Sequence, residues 1–142
     1  MTFWDSSAVV PLLFEEPASS DIRRLARTYG PPVVWWGTLV ECSSALARRS
    51  RFAASLPSEQ RRATSRLAEL VALWTEIQPG EILRQRAFRL LASHSLRAAD
   101  ALRLAAALVW AEERPAGRIF VCLDARLREA ARQNGFTVLP ED

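Results

Sequence analysis

Lysine is absent from this sequence, since all nineteen basic positions are arginine. A Walker A nucleotide-binding loop needs a lysine on the phosphates, and no GxxxxGK pattern occurs. A response-regulator receiver, which also places acids on a parallel sheet, needs a lysine partner as well. Both classes are therefore excluded. The formal charge of +3 is compatible with a nucleic-acid partner without proving one, and guanidinium groups suit bidentate binding of phosphate or carboxylate.

Cysteine, histidine and long apolar runs are also scarce. The two cysteines, Cys42 and Cys122, have no CxxC spacing, and His94 is the single histidine, so the pattern does not indicate zinc. No stretch approaches the roughly 18 apolar residues of a membrane span, and the N-terminus lacks the features of a secretory signal. We therefore expect a cytoplasmic protein with no membrane partner, folded as a single domain over residues 1–142.

Short runs rich in Val, Ile, Phe and Trp alternate with longer stretches of helical spacing, which predicts an α/β fold. Strands are predicted at about 2–5, 32–35, 74–78, 118–123 and 136–139. Helices are predicted between them, with Ser19 or Ser20, Ser95 and Asp124 as caps of three of these helices. The expected architecture is a three-layer α/β/α sandwich around a parallel sheet of four or five strands.

Two aspartates end predicted strands: Asp5 closes the first, and Asp124 closes the strand at 118–123. In an open parallel sheet, ligands bind beyond the carboxyl ends of the strands, where the strand order reverses. The two side chains are therefore candidates for one shared site. Each is also a good helix N-cap, and that structural role remains an alternative for both.

Two further acids lie on predicted helices. Glu41 follows the second strand by one helical turn, and its spacing from Thr38 also matches a capping box, so metal binding and capping stay open. Asp100 lies in an alanine-rich stretch that we expect to be the interior of a helix from about 96 to 113, far from either end. The alternative for Asp100 is a salt bridge within the helix, to Arg97 or Arg103.

These residues together resemble the four acidic motifs of PIN-domain nucleases. The matching segments cover the whole chain in the family's order; they are Phe3-Trp4-Asp5-Ser6-Ser7-Ala8, Thr38-x-x-Glu41, Leu96-Arg97-Ala98-Ala99-Asp100-Ala101 and Phe120-Val121-Cys122-Leu123-Asp124. The sequence is most similar to the VapC toxins of toxin–antitoxin pairs. The resemblance implies a PIN-like fold and a catalytic metal site of Asp5, Glu41, Asp100 and Asp124 that holds Mg²⁺ or Mn²⁺. It also implies that the Ser7 hydroxyl supports Asp5.

Two positions depart from the family pattern. Cys122 stands where many relatives have Thr or Ser, and because a thiol is a weak donor we expect looser support of Asp124. Arg103 stands where many relatives have His, and it adds positive charge near the proposed site. Neither departure removes a carboxylate, so we expect the reaction class to be kept.

The resemblance implies an endoribonuclease whose partners are RNA and a cognate antitoxin, with a homodimer also expected. Candidate RNA contacts are Arg48, Arg49, Arg97 and Arg103, and either Trp35 or Trp36 could stack on a base. The apolar helices after the first two strands, which include Val9, Val10, Leu12, Leu39 and Val40, are a candidate surface for a partner helix.

Two other functions compete with this interpretation. One is a catalytically inactive PIN-like binding or regulatory module whose acids are structural caps. The other is a phosphohydrolase of the haloacid-dehalogenase type, because Asp5 ends a first strand. Those enzymes usually carry a second aspartate two residues later, where this chain has Ser7.

Overall fold

The structure is a computed structural model that describes residues 1–52 and 55–142. Within these ranges it has five short strands and seven helices. The strands are β1 (Phe3–Trp4), β2 (Val33–Trp35), β3 (Thr75–Ile77), β4 (Ile119–Val121) and β5 (Thr137–Leu139). The helices are α1 (Ser6–Leu13), α2 (Ser19–Tyr29), α3 (Thr38–Arg51), α4 (Pro57–Leu73), α5 (Glu81–Ser93), α6 (Ala98–Trp110) and α7 (Ala125–Gln133).

All five strands are parallel, in the order β3-β2-β1-β4-β5. The strand order therefore reverses between β1 and β4, where Phe3 pairs with Phe120 and Trp4 with Val121. With helices on both faces, the fold is the α/β/α sandwich that the sequence predicts, and the sheet has five strands. The ends of β1 and β4 consequently form the crevice in which such sheets bind ligands.

Side chains of successive strand residues point to opposite faces of the sheet, and this alternation divides the core in two. Phe3 and Phe120 pack with helices α5, α6 and α7 on one face. Trp4 and Val121 pack with α1, α2, α3 and α4 on the other. Both faces are apolar because a fully parallel sheet is covered on both sides.

Helix α6 lies close to the sheet because its buried face is built from small residues. Ala101, Ala105, Ala106 and Ala107 have no solvent exposure. Asp100, the third acid of the candidate site in chain order, directly precedes this face and is itself buried. The alanine-rich stretch thus brings the start of α6 against the centre of the sheet.

Three details of the helix boundaries differ from expectation. Helix α6 begins at Ala98 rather than after Ser95, because Arg97 keeps an extended backbone, so Asp100 lies in the first turn and not in the helix interior. The helix ends at Trp110, and Glu112 and Glu113 have positive φ. Ser19 lies inside α2, where its hydroxyl donates to the carbonyls of Pro11 and Phe14 instead of capping.

The apolar residues of α1 and α3 are mostly used by the fold. Val9 is fully buried, and Val10, Leu12 and Leu39 pack partly buried against the same core, whereas Val40 is 67% exposed. The exposed apolar surface of α1 and α3 is therefore smaller than the sequence predicts. Among residues 1–52 and 55–142, no helix combines the length and the apolar character needed to cross a membrane.

Candidate active site

Four acids that are far apart in sequence converge at the carboxyl ends of β1 and β4. Asp5 follows β1, Glu41 lies in the first turn of α3, Asp100 in the first turn of α6, and Asp124 follows β4. Asp5, Glu41 and Asp124 line one cavity of about 490 Å³. Asp100 and Asp124 line a second cavity of about 560 Å³. The structure therefore brings together all four carboxylates that the sequence motifs identify.

Asp5 is the most deeply buried of the four, at 2% exposure. Its Oδ2 accepts hydrogen bonds from the Ser7 amide, at 3.1 Å, and from the Ser7 hydroxyl, at 2.5 Å. The aspartate is thus the N-cap of α1, which is the structural role considered for it from the sequence. Its Oδ1 is buried and accepts no hydrogen bond from any described residue. One oxygen is used by the fold, and the other remains able to bind a cation.

Ser7 also connects the ends of the two central strands. Its Oγ accepts a hydrogen bond from the Leu123 amide at 3.0 Å while it donates to Asp5. The hydroxyl therefore supports Asp5, in the role that the resemblance implies. The Cys122 thiol lies 3.9 Å from Asp5 Oδ2 and 3.7 Å from the carbonyl oxygen of Asp124. The weak thiol contact thus reaches the carboxylate of Asp5 and not that of Asp124, contrary to expectation.

Asp124 caps α7, because its Oδ1 accepts a hydrogen bond from the Leu127 amide at 3.0 Å. The residue as a whole is exposed and lines both cavities. Capping uses one carboxylate oxygen and fixes the side chain. Capping and cation binding are therefore compatible at this position, as at Asp5.

Glu41 does not form the capping box that its spacing from Thr38 suggests. Gly37 is the N-cap of α3 and has no capping side chain, and Thr38 Oγ1 is buried without a hydrogen-bond partner among the described residues. Glu41 Oε1 is likewise buried and unbonded within that part of the chain. The glutamate instead turns toward the other acids and forms an ion pair with Arg103 through Oε2.

Asp100 lies close enough to Asp124 and Asp5 for their negative charges to shift the pKa of its carboxyl. Burial raises the pKa of its carboxyl above the ordinary value, and the negative charges of Asp124 and Asp5 raise it further. The hydrogen bond from the backbone at Arg97 and the charge of Arg126 act in the opposite direction. A cation among these groups would remove the repulsion that favours the protonated form.

Arg103 supplies positive charge to this cluster. Its Nε lies 3.4 Å from Asp5 Oδ1, its Nη1 donates to Asp100 Oδ1 at 2.9 Å, and its Nη2 contacts Glu41 Oε2. The salt bridge between Asp100 and Arg103, which the sequence offered as an alternative to a metal role for Asp100, is thus present. The guanidinium does more than pair within the helix, because it also joins two acids from other elements.

The two cavities carry a fringe of arginines. Arg97 and Arg126 line the cavity of Asp100, and Arg48 lines that of Asp5. Arg49 does not take part, because it forms an ion pair with Glu16 and stacks over the Phe14 ring at 4.1 Å. Arg126 is missing from the residues expected from sequence. It follows Asp124 by two residues, and its place in the first turn after a strand-end acid could have identified it.

The two tryptophans expected near the site have different environments. Trp35 is buried in the core, at 9% exposure, whereas Trp36 is 49% exposed. The two rings pack edge to face, with 6.2 Å between their centroids. Trp36 is therefore the ring of this pair that remains available for stacking on a base.

The four carboxylates are not already arranged as the ligands of a metal ion. Within the described residues, no three His, Cys, Asp or Glu side chains are arranged to hold a metal ion. The Arg103 guanidinium lies in contact with three of the acids, Asp5, Glu41 and Asp100. The donor set itself fits a hard divalent ion, because all four groups are carboxylates and two of their oxygens are buried without a hydrogen bond to any residue that the structure describes.

No protein-family model matches this sequence, and no curated protein matches it either. Membership in the PIN-domain family therefore stays a proposal, which rests on the order and spacing of the four acidic motifs.

Proposed function

We propose that this protein is a metal-dependent endoribonuclease of the PIN-domain type. The observation that carries the proposal is the convergence of four acids, from four separate segments of the chain, at the point where the strand order of the sheet reverses. Two of them, Asp5 and Asp100, are buried acids. A chain that needed these residues only as caps would have no reason to direct Glu41 and Asp100 to the same crevice.

Mg²⁺ or Mn²⁺ is the cofactor that best fits the donor set, since hard divalent ions prefer carboxylate oxygens. Asp5, Glu41, Asp100 and Asp124 are the residues that would hold it. A bound divalent ion would offset the negative charge of a phosphodiester and lower the pKa of an attacking water. Among the described residues no histidine lines either cavity, and none of the three serines that line the cavity of Asp5 (Ser6, Ser7 and Ser44) forms a hydrogen bond with a histidine that could activate it.

The residues around the acids have distinct tasks in this proposal. Ser7 holds Asp5 in a single orientation, and the N-cap bond to Leu127 does the same for Asp124. Arg48, Arg97 and Arg126 bind the phosphates on either side of the scissile bond, because guanidinium groups bind phosphate oxygens in pairs. Trp36 stacks on an unpaired base of single-stranded RNA.

The decisive experiment is RNA cleavage by the purified protein with Mg²⁺ or Mn²⁺ and with excess chelator. Cleavage should disappear with the chelator and return when the ion is restored. Asp5→Asn, Asp100→Asn and Asp124→Asn should each remove nearly all activity, with double variants little worse than single ones, because the acids act as a unit. Asp21→Asn is the matched control, since Asp21 is an exposed helix acid paired only with Arg24 among the described residues. Activity that survives chelation, or that Asp100→Asn leaves intact, contradicts the mechanism.

A second candidate function is a catalytically inactive PIN-like binding module. The observation that favours it is the ion pairing of Arg103 with three of the four acids, which neutralises part of their charge without a metal. Calorimetric titration with Mn²⁺ separates the two functions. A nuclease should bind the ion in a way that Asp5→Asn abolishes, whereas an inactive module should show no site-specific heat.

The toxin role is a further part of the proposal and needs its own test. Expression of the wild-type protein should impair growth, and Asp5→Asn should not. Co-expression with a small neighbouring reading frame should restore growth and yield a stable complex, with the protein itself purifying as a homodimer. A monomer that forms no such complex and leaves growth unaffected contradicts the toxin assignment but not the nuclease activity.

A further inference from the structure

The Arg103 guanidinium occupies the centre of the acidic cluster. Three different nitrogens face three different carboxylates, those of Asp5, Glu41 and Asp100, and the side chain is only 18% exposed. These acids come from α6 itself and from two elements distant in sequence. A surface salt bridge does not have this form, because it pairs two flexible side chains in solvent.

Arg103 offsets part of the negative charge of the cluster, but the cluster is not fully hydrogen-bonded. Asp5 Oδ1, Glu41 Oε1 and Arg103 Nε are all buried, and none has a hydrogen-bond partner within the described residues. Buried polar atoms are normally satisfied in folded proteins, so three exceptions in one cluster need an explanation. These unpaired atoms fit a site in which the Arg103 guanidinium occupies the place of a divalent metal ion, which would bind both carboxylate oxygens directly.

We propose that Arg103 is a resident counter-ion, which occupies the cation position of the cluster and must leave it before a divalent ion binds. This inference rests on the proposed function. A guanidinium keeps carboxylate oxygens at hydrogen-bond distance from its nitrogens, whereas Mg²⁺ takes oxygens at about 2.1 Å. The acids can close around a metal ion only after the guanidinium has moved out, and its charge repels the ion while it stays.

The two cavities indicate where the side chain goes. Arg103 and Asp124 are the residues that line both of them, so the arginine side chain forms part of the wall that separates the cavities. An outward rotation into the larger cavity places the guanidinium beside Arg97 and Arg126. The same movement joins the two cavities into one crevice. It also adds the Arg103 charge to those of Arg97 and Arg126, the arginines of the larger cavity that we assign to phosphate binding. A negatively charged substrate therefore favours the rotation that metal binding requires.

The test is Mn²⁺ binding, measured by calorimetry and by the paramagnetic resonance of free Mn²⁺, in wild type, Arg103→Gln and Arg126→Gln. Arg103→Gln should lower the dissociation constant by about tenfold or more, because the competing charge is gone. Arg126→Gln is the matched control. It removes a charge that acts on Asp100 from the same cavity without contacting the carboxylates, and its effect should stay below about threefold because exposed charges are screened.

Thermal melting gives a readout that does not depend on activity. In chelator, Arg103→Gln should melt below wild type, because three carboxylates lose their counter-ion, and saturating Mn²⁺ should raise its melting temperature more than that of wild type. If Arg103→Gln does not fold without metal, Arg103→Lys serves instead. Because lysine offers one nitrogen in place of three, the Arg103→Lys variant should bind Mn²⁺ more tightly than wild type.

The outcomes separate this inference from the proposed function. Equal or weaker Mn²⁺ binding by both Arg103 variants, with clear binding by wild type, overturns the counter-ion role and leaves the metal site intact. Absence of Mn²⁺ binding in every protein overturns both. Tighter binding by the Arg103 variants in a protein that cleaves no RNA supports the counter-ion role and contradicts the nuclease.

Discussion

The Ser7 hydroxyl allows the most direct test of how the candidate site is held together. It donates to Asp5 Oδ2 at 2.5 Å and accepts from the Leu123 amide at 3.0 Å, so a single oxygen links the end of β1 to the end of β4. Ser7→Ala removes both bonds and leaves the rest of α1 unchanged. The amide of residue 7 still donates to Asp5, so the carboxylate keeps one of its two bonds from this residue.

The expected cost follows from these two bonds. A hydrogen bond to a charged group contributes about 1.5 to 3 kcal/mol, and a donor left unpaired costs about 1 kcal/mol or more. Because residue 7 is only partly buried, water can replace some of the loss. We therefore expect the free energy of unfolding to fall by about 2 to 3 kcal/mol. For a chain of this size the melting temperature should fall by roughly 5 to 10 °C.

Urea denaturation, followed by tryptophan fluorescence in chelator, measures this difference. Ser6→Ala is the matched control, since Ser6 is the preceding residue, is 9% exposed and makes no side-chain hydrogen bond with any described residue. Its stability should change by no more than about 0.5 kcal/mol. Equal stability of the two variants, or a Ser7→Ala value within error of wild type, refutes the assigned role of the hydroxyl.

Other predictions concern parts of the fold outside the acids. Burial raises the pKa of the Cys42 and Cys122 thiols to about 12, with the charge of Asp5 adding to it. Both should resist thiol reagents at pH 9 until the protein unfolds, and the free energy of unfolding should fall as pH rises from about 8.5 toward 12, because only the unfolded chain ionises its thiols there; rapid labelling of native protein contradicts this. Arg128 is buried and donates to the Cys122 and Pro140 carbonyls and to Asp142, so Arg128→Met should destabilise the protein by about 2 to 4 kcal/mol in urea titration, while the more exposed Arg132→Met should cost no more than about 1 kcal/mol. Thr38→Val should leave thermal stability unchanged or higher, since its hydroxyl is buried and forms no hydrogen bond with any described residue, whereas loss of a true N-cap would cost about 1 to 2 kcal/mol.

The fold could be predicted from sequence because its signals are local. Each strand is a short β-rich run, and the strand at 119–121 was the clearest of them. The two strand-end acids, Asp5 and Asp124, could be predicted for the same reason, since the end of a strand is visible in the chain and parallel strands bring such ends together. The capping roles considered for both residues are also present, because one oxygen caps while the other faces the crevice.

The position of Asp100 could not be predicted as well. Ser95 is a good cap by residue type, but the Leu96 amide donates to the His94 carbonyl, Arg97 has an extended backbone, and the helix begins at Ala98. The capping box of Glu41 failed for a related reason. Its T-x-x-E spacing is correct, but Arg103 offers the glutamate an ion pair that a local pattern cannot reveal.

The role of Arg103 depends on three acids spread over almost a hundred residues of sequence, so it becomes visible only in the folded structure. The same holds for Arg49, which sequence placed near RNA. Its actual partners, Glu16 and Phe14, lie in the segment between α1 and α2, more than thirty residues earlier.

The central position of β1 has a consequence for synthesis of the protein. This strand is made before the other four described strands, yet one of its two neighbours, β4, is made after more than a hundred further residues. While the chain grows on the ribosome, the β1 edge that receives β4 has no partner, and the crevice lacks Asp124 and Arg126. The crevice can therefore assemble only after the segment that contains β4 and the start of α7 has left the exit tunnel, so a shorter nascent chain has only three of the four acids.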